Sequence, residues 1–215
     1  MIPEIQRFGR DFATRSIAPR KKAYDERVLR KGRDEYRVWD PKKSKLGAAM
    51  QKGLTDVPLR RGMKILYLGI STGTTASHLS DIVGFEGMIY GIEFSARMVR
   101  DLMQVSAQRK NIVPILADAR MPENWAQRVE KVDLVYCDVA QRDQSEILMR
   151  NAKVFLKKGG HIMIAIKARS IDVAAKPRDI FVQEKQKLSK MFNITSDVNL
   201  NPFEKDHAFF VGRMK

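Results

Sequence analysis

Lys64-Ile-Leu-Tyr-Leu-Gly-Ile-Ser-Thr-Gly-Thr-Thr75 is the stretch that decides the fold. Its apolar run at residues 65–68 reads as a buried strand, Gly69 and Gly73 bracket a loop, and residues 76–83 read as a helix. Thr74 or Thr75 can cap that helix and Gly84 can end it. Strand, glycine loop and capped helix form the opening unit of a doubly wound α/β domain. Ligands of such domains settle outside the carboxyl ends of the strands, against backbone N–H groups and the helix N-terminus. A dinucleotide site wants G-x-G-x-x-G, but Ser71 stands at the second glycine, where its side chain obstructs a pyrophosphate. Gly69 and Gly73 alone leave a looser loop, suited to an adenosyl ligand without phosphate. A βα turn that binds nothing is the plain alternative.

Downstream the alternation repeats. Residues 88–94 form a second strand ending at Glu93, and Ser95 caps a helix with a stripe of Met98, Val99, Leu102, Met103 and Val105. Residues 112–116 form a third strand, followed by Ala117-Asp118-Ala119 and by Pro122, which suits the first turn of a short helix. A fourth strand at 132–137 ends at Asp138. The next helix, 144–156, closes at Lys157-Lys-Gly-Gly160, and a fifth strand at 161–166 ends at Lys167. A loop with Pro177 leads into a helix ending near Met191; residues 194–200 and 207–212 then read as a terminal β-hairpin. The expected fold is a Rossmann-like α/β domain whose sheet is mostly parallel with one antiparallel strand.

Upstream, residues 1–55 differ in character. Lys and Arg outnumber Asp and Glu about two to one there, without strong apolar periodicity. Residues 22–29 and 35–39 are short enough for hairpin strands around Pro19 and Gly32, so a small basic β-rich module precedes the main domain of 56–215. Pro41 stops it, and Ser44 can cap a helix from Lys45 to Lys52.

The 215 residues suffice for a full core, and the net charge of +15 favours a polyanionic partner, nucleic acid ahead of a membrane surface. A generally basic, highly charged surface of the kind heat-adapted proteins carry is the alternative. A single cysteine excludes a disulfide framework and suits a reducing cytoplasm. No signal peptide or membrane span is visible, no apolar run approaching about 18 residues.

Several polar residues follow strands and so gather at one rim. Glu93 stands where this fold places an acid for a ribose hydroxyl pair, or it is a solvated strand-end carboxylate. Asp118 can accept from an adenine amino group or bond its own turn. Asp138 and Lys167 follow unbroken apolar strands; on neighbouring strands they lie about 4.8 Å apart, as a salt bridge or as a pair that handles a hydroxyl proton. His207 begins the last strand and reaches the same rim if that strand is antiparallel. His78 and His161 look structural, no metal-ligand spacing links the three histidines, and Cys137 is core.

Together these stretches resemble the fibrillarin family in its short archaeal form. The likeness is carried by Glu35-Tyr-Arg-Val-Trp-Asp-Pro-Lys-Lys-Ser-Lys-Leu-Gly, Leu66-Tyr-Leu-Gly-Ile-Ser-Thr-Gly-Thr-Thr, Gly91-Ile-Glu-Phe-Ser-Ala-Arg, Asn111-Ile-Val-Pro-Ile-Leu-Ala-Asp-Ala, Val132-Asp-Leu-Val-Tyr-Cys-Asp-Val-Ala-Gln, Ile166-Lys-Ala-Arg-Ser and Phe203-Glu-Lys-Asp-His-Ala. It covers nearly everything from about residue 13, in order. The resemblance implies a class I methyltransferase fold with a seven-stranded sheet, S-adenosylmethionine as cofactor, and methyl transfer to a ribose 2′-hydroxyl of rRNA and tRNA. It implies cofactor contacts at Thr74, Thr75, Glu93, Phe94, Asp118, Ala119, Asp138, Val139, Ala140 and Gln141, beside the loop glycines Gly69 and Gly73 already read as a cofactor loop, and a catalytic set of Lys45, Asp138, Lys167 and His207. It implies box C/D guide RNA and substrate RNA, a Nop-domain scaffold protein and a kink-turn-binding ribosomal-type protein as partners, with no membrane. The chain departs from the family at Ile70 (alanine is usual), at Asp25 (glycine) and at Arg20 (glycine after the proline). Rival readings are a non-catalytic RNA-binding subunit and a nicotinamide-dependent oxidoreductase.

Overall fold

Two sheets organise the described residues, 4–215, of the computed structural model. The first is built from β1 (Ile5–Phe8), β2 (Asp11–Arg15), β3 (Val28–Lys31) and β4 (Asp34–Val38), all antiparallel in the order β1-β2-β4-β3. Gly32 turns β3 into β4 at φ 62, as expected, but the rest of the module differs from the sequence reading. Residues 22–27 are not strand, because the Glu26 carboxylate draws in the backbone N–H groups of Ala23 and Tyr24 at 3.0 and 2.8 Å and curls the chain locally. Pro19 lies in the connection, and an additional hairpin, β1–β2, spans Ile5 to Arg15. Arg20, where the resembling family carries glycine, sits at φ 63.

The second sheet has seven strands: β5 (Lys64–Leu68), β6 (Met88–Glu93), β7 (Ile112–Leu116), β8 (Val132–Cys137), β9 (Leu156–Lys167), β10 (Phe192–Asn199) and β11 (His207–Met214). Their order is β10-β11-β9-β8-β5-β6-β7, and β11 alone runs against its neighbours. The chain reverses strand order between β5 and β8, so a crevice opens beyond their carboxyl ends. The helices are α1 (Lys45–Gln51), α2 (Thr74–Val83), α3 (Ala96–Gln108), α4 (Gln144–Phe155), α5 (Ala168–Ile171) and α6 (Pro177–Ser189), with 3₁₀ turns at Pro122–Asn124 and Ala126–Arg128.

Each face of this sheet closes one core. Tyr67, Leu134, Tyr136, Met163, Ala165 and Phe209 face α1 and α2, while Leu66, Val135, Cys137, Ile162, Ile164 and Phe210 face α4 and its neighbours. The strict alternation is what later fixes the direction of the residues at the strand ends.

Some boundaries moved. The cap of α2 is Gly73 at φ 91, with no side-chain cap from Thr74 or Thr75. A Cβ on Gly73 would lie 2.6 Å from Leu102 Cδ1, so α3 packs directly on the bare backbone there. Of the stripe on α3, Leu102 and Val105 are buried and Met103 is exposed. Lys157-Lys-Gly-Gly160 does not end a helix with a loop; α4 stops at Phe155 and β9 starts at once. Gly159 at φ 69 lets extra residues loop out of β9 between its pairings with Val132 and Leu134. The short helix α5 had no apolar period to reveal it.

Candidate active site

The site begins with a glycine that cannot be replaced. Gly69 ends β5 at φ 75, and a Cβ there would stand 2.7 Å from the Asp138 carbonyl oxygen, so the chains leaving β5 and β8 touch through bare backbone. The loop then places Ser71 at φ 54, its N–H donating to Glu93 Oε2 at 3.0 Å. Ser95 N–H donates to the other oxygen, Glu93 Oε1, at 3.0 Å. The carboxylate of Glu93, 7 % exposed, is thus held by one backbone donor per oxygen and keeps spare lone pairs for a ligand hydroxyl pair. A loop that commits its N–H to a carboxylate has little to offer a pyrophosphate, so the nicotinamide alternative loses ground here.

Around Glu93 lies a cleft of about 240 Å³. Of the residues expected at the cofactor, Gly69, Glu93, Phe94, Asp118, Ala119, Asp138, Val139, Ala140 and Gln141 line it; Gly73, Thr74 and Thr75 do not. Sequence reasoning had not singled out Ile92, Ala117, Arg120 or Ile147 as lining residues. Phe94 offers an exposed aromatic face at the rim. Asp118 Oδ1 accepts from Arg120 N–H at 2.8 Å, the local turn bond that the sequence left open, and its second oxygen remains for a ligand. Arg120 reaches across the mouth, donating to Gln141 Oε1 at 2.7 Å and Asp143 Oδ1 at 3.2 Å. An acid for ribose hydroxyls, an acid for an amino group, an aromatic face and small residues between them suit an adenosyl group.

Asp138 belongs to the cleft and to a second group of residues. Lys45 Nζ lies 3.0 Å from Asp138 Oδ1 and 3.1 Å from Oδ2. Lys45 is the first residue of α1, whose cap Ser44 accepts from Gly47 N–H at 3.3 Å and receives the Thr75 hydroxyl at 2.9 Å. Thr75 therefore ties the start of α2 to the start of α1 and so sets where Lys45 stands. Asp138 follows Tyr136 by two residues and Lys167 follows Ala165 by two, so both extend the sheet face that packs on α1. His207 shares that face with Phe209 and is the register partner of Lys167. Ala168 N–H bonds the Asp206 carbonyl, which makes Lys167 and His207 a non-hydrogen-bonded pair, the kind whose side chains lie closest, at about 4.5 Å between Cα atoms. In register, however, Asp138 falls beside Ala165 and not beside Lys167, which stands two residues further out. Asp138, Lys167 and His207 thus occupy three adjacent strand ends on one face, with Lys45 bonded to Asp138.

The chemistry beneath is neutral. Burial first, then the charge of Asp138, holds the Tyr67 phenol well above its ordinary range; burial and then its neighbour Tyr67 do the same for Tyr136. Burial pushes the Cys137 thiol up to about 12, in keeping with its reading as core. His207 donates from Nδ1 to the Lys205 carbonyl at 2.7 Å, which leaves Nε2 as the ring atom available to the rim. Among the described residues no cluster of three or more potential metal ligands exists. No helix among them is long and apolar enough to cross a membrane.

The other two histidines stand outside this group, His78 fully buried against Trp39 and His161 at the opposite end of β9. The side chains that hold the site together left no linear signal. Gln144 and Asn151, seven residues apart on α4, bond backbone of Lys167 and Ala119, respectively, and both are fully buried.

Known proteins share this fold and much of this sequence. The sequence matches the model of the fibrillarin family over residues 2–215. It is 54 % identical over 201 residues to the fibrillarin-like rRNA/tRNA 2′-O-methyltransferase of Methanocaldococcus jannaschii, covering 93 % of this chain and 87 % of that one. The crystal structure of Aeropyrum pernix fibrillarin with natively bound S-adenosyl-L-methionine superimposes with a TM-score of 0.87 at 48 % identity, covering 94 % of this chain and 88 % of that one. A fibrillarin in complex with Nop5p gives a TM-score of 0.93 at 39 % identity over 100 % of this chain and 99 % of that one. A fold and a sequence that agree over this length place the chain in the fibrillarin family.

Proposed function

We propose that this protein transfers a methyl group from S-adenosylmethionine to a ribose 2′-hydroxyl of rRNA and tRNA, directed by a box C/D guide RNA. The observation that carries the reading is Asp138, which walls the adenosyl-sized cleft and also bonds Lys45 on the face where Lys167 and His207 emerge. The residues present fit the cofactor: Glu93 for the ribose, Phe94 and Asp118 for the base, and the small residues Ala117, Ala119 and Ala140 where a Cβ-rich wall would fill the space. When bound, S-adenosylmethionine supplies a sulfonium methyl that is already activated.

The chain's own task is then alignment and proton removal. Asp138 accepts the proton of the ribose hydroxyl, its carboxylate oriented by Lys45. Lys167 stabilises the oxygen as it gains negative charge, and His207 and Lys45 hold the ribose and the adjoining phosphate. The relatives' names and the Nop5p complex support an RNA substrate and a Nop-domain scaffold for this chain. We extend the assembly to a kink-turn-binding ribosomal-type protein and place it in the cytoplasm, in keeping with the reduced, buried Cys137. The basic module of residues 1–55 would add phosphate contacts without sequence preference, beside the methyltransferase domain of 56–215.

The test is radiolabelled methyl transfer in the reconstituted complex with a guide complementary to a chosen rRNA segment. Label should enter one guide-specified ribose, and little label should enter the same RNA without guide and scaffold. Efficient methylation of naked RNA would overturn the guided mechanism, and no transfer in the full complex would favour a non-catalytic subunit.

A further inference from the structure

The strand that carries Lys167 outruns its neighbour. β8 makes its last register contact at Cys137 opposite Ile164; Asp138 N–H closes the regular ladder to the Leu68 carbonyl of β5, and β8 ends before any residue faces Lys167. Because Lys167 and His207 form a non-hydrogen-bonded pair, the N–H and C=O of Lys167 point away from β11, toward the place that β8 has vacated. Both groups would be orphaned next to the core.

Gln144 fills the vacancy. Its Oε1 accepts from Lys167 N–H at 3.0 Å and its Nε2 donates to the Lys167 carbonyl at 3.1 Å, so the amide stands in for a strand residue. Gln144 is fully buried and is the first residue of α4, whose start is fixed by its own packing on the sheet. A glutamine is needed because one planar group must donate and accept side by side; a carboxylate only accepts, and a hydrocarbon does neither.

We propose that Gln144 is a positioning residue for the reaction: it locks the terminal peptide of β9 so that Lys167 projects at the rim beside His207 in a single orientation. The inference rests on the assignment of Lys167 to catalysis made above. A lysine side chain has four rotatable bonds, so an unanchored strand end would add backbone play to side-chain play at the reacting oxygen, where misplacement by about 1 Å can cost about 100-fold.

The test uses Gln144→Met and Gln144→Glu in the complete guide RNA and scaffold complex, with Lys167→Ala as reference. For Gln144→Met the Lys167 amide should exchange with deuterium at least tenfold faster than in the wild type. Its single-turnover methylation at saturating cofactor should fall at least tenfold, while S-adenosylhomocysteine affinity stays within about twofold. Gln144→Glu separates positioning from bulk stability. Its buried carboxyl, when protonated, again donates to the Lys167 carbonyl and accepts from the N–H, so its activity relative to wild type should recover as pH falls. Unchanged Lys167 amide protection in Gln144→Met overturns the clamp, as does a Gln144→Glu activity ratio that is flat with pH. Faster exchange with a wild-type methylation rate, while Lys167→Ala is inactive, overturns positioning. Wild-type activity in Lys167→Ala overturns the proposal through the catalytic assignment itself, and the exchange data then report whether the clamp exists regardless.

Discussion

His78 makes the protein's stability depend on pH in a way that can be worked out from its neighbours. The ring is fully buried, stacked on Trp39 at 4.6 Å between centroids. Thr14 spends its hydroxyl proton on Asp81 Oδ2 at 2.8 Å, so its oxygen accepts from His78 Nδ1–H at 2.8 Å. The other nitrogen, Nε2, then accepts from the Tyr24 hydroxyl at 2.6 Å; burial, the main cause, holds that phenol far above its ordinary range and so keeps it a donor. A second ring proton would force the Tyr24 O–H off this bond and onto the longer contact with the Val38 carbonyl at 3.5 Å. Burial, followed by the charges of Arg37 and Arg109, accordingly holds the imidazole well below the ordinary 6.5. The unfolded chain binds a proton that the native state refuses, so stability is fully present above about pH 6.5 and is lost as pH falls below it. For a native ring that takes up no proton, the loss from pH 7.5 to 5.5 reaches its ceiling, RT times the logarithm of the change in unfolded-state proton binding, about 1.4 kcal/mol.

The assay is urea unfolding at pH 7.5, 6.5 and 5.5 for wild type and His78→Gln. The variant should be less stable at pH 7.5 by about 1–3 kcal/mol, having lost the stack and one hydrogen bond. Because glutamine does not titrate, the gap between the two proteins should shrink by up to about 1.4 kcal/mol at pH 5.5. Half-buried His161, pushed down in the same direction by burial and Arg213, is present in both proteins and cancels in the difference. A gap that stays constant across these three pH values would refute the reasoning.

Other substitutions follow from single contacts. Arg20→Gly should raise stability by about 0.5–1 kcal/mol, because an L-residue at φ 63 is strained while the backbone bond to Glu35 needs no side chain; a drop in urea midpoint would contradict it. Glu93→Ala removes the acceptor of two backbone N–H groups and the proposed ribose ligand, and should weaken S-adenosylhomocysteine binding by about 2–3 kcal/mol in calorimetry, with near-wild-type affinity as the contrary result. Glu26 pairs with buried Arg37 at 2.6 Å; burial opposes its ionisation, but Arg37 and backbone N–H bonds outweigh this and hold its carboxyl below the usual range. Its stabilising contribution is present above the ordinary carboxylate pKa and lost as pH falls through the lower native one, so Glu26→Gln should flatten the acid limb of the unfolding profile.

The sheet was legible because its strands are unbroken apolar runs bounded by glycine or by a charged residue, and because a strand's end and a site's rim coincide in this architecture. Glu93, Asp138 and Lys167 could be picked out on that ground alone, but the expected spacing of about 4.8 Å between the last two missed the register, which sets Asp138 beside Ala165. Lys45 could not, since nothing local distinguishes it from other lysines near α1; only the family resemblance singled it out, and the bond to Asp138 spans 93 residues of sequence. Gln144 and Arg120 were silent for the same reason, being polar residues whose partners lie 23 and 21 residues away on other elements. The basic module was misread at residues 22–27 because a charged side chain, Glu26, captured backbone donors that a propensity argument assigns to a strand.

The most direct test of the site is single-turnover methylation by the assembled complex at saturating cofactor, comparing wild type with Asp138→Asn and Lys167→Ala. Both variants should bind substrate RNA within a few-fold of wild type and lose at least about 100-fold in rate, the order expected for a proton acceptor or an electrostatic stabiliser. Turnover within a few-fold of wild type for either variant would remove that residue from the chemistry and leave the rim as a structural ion pair.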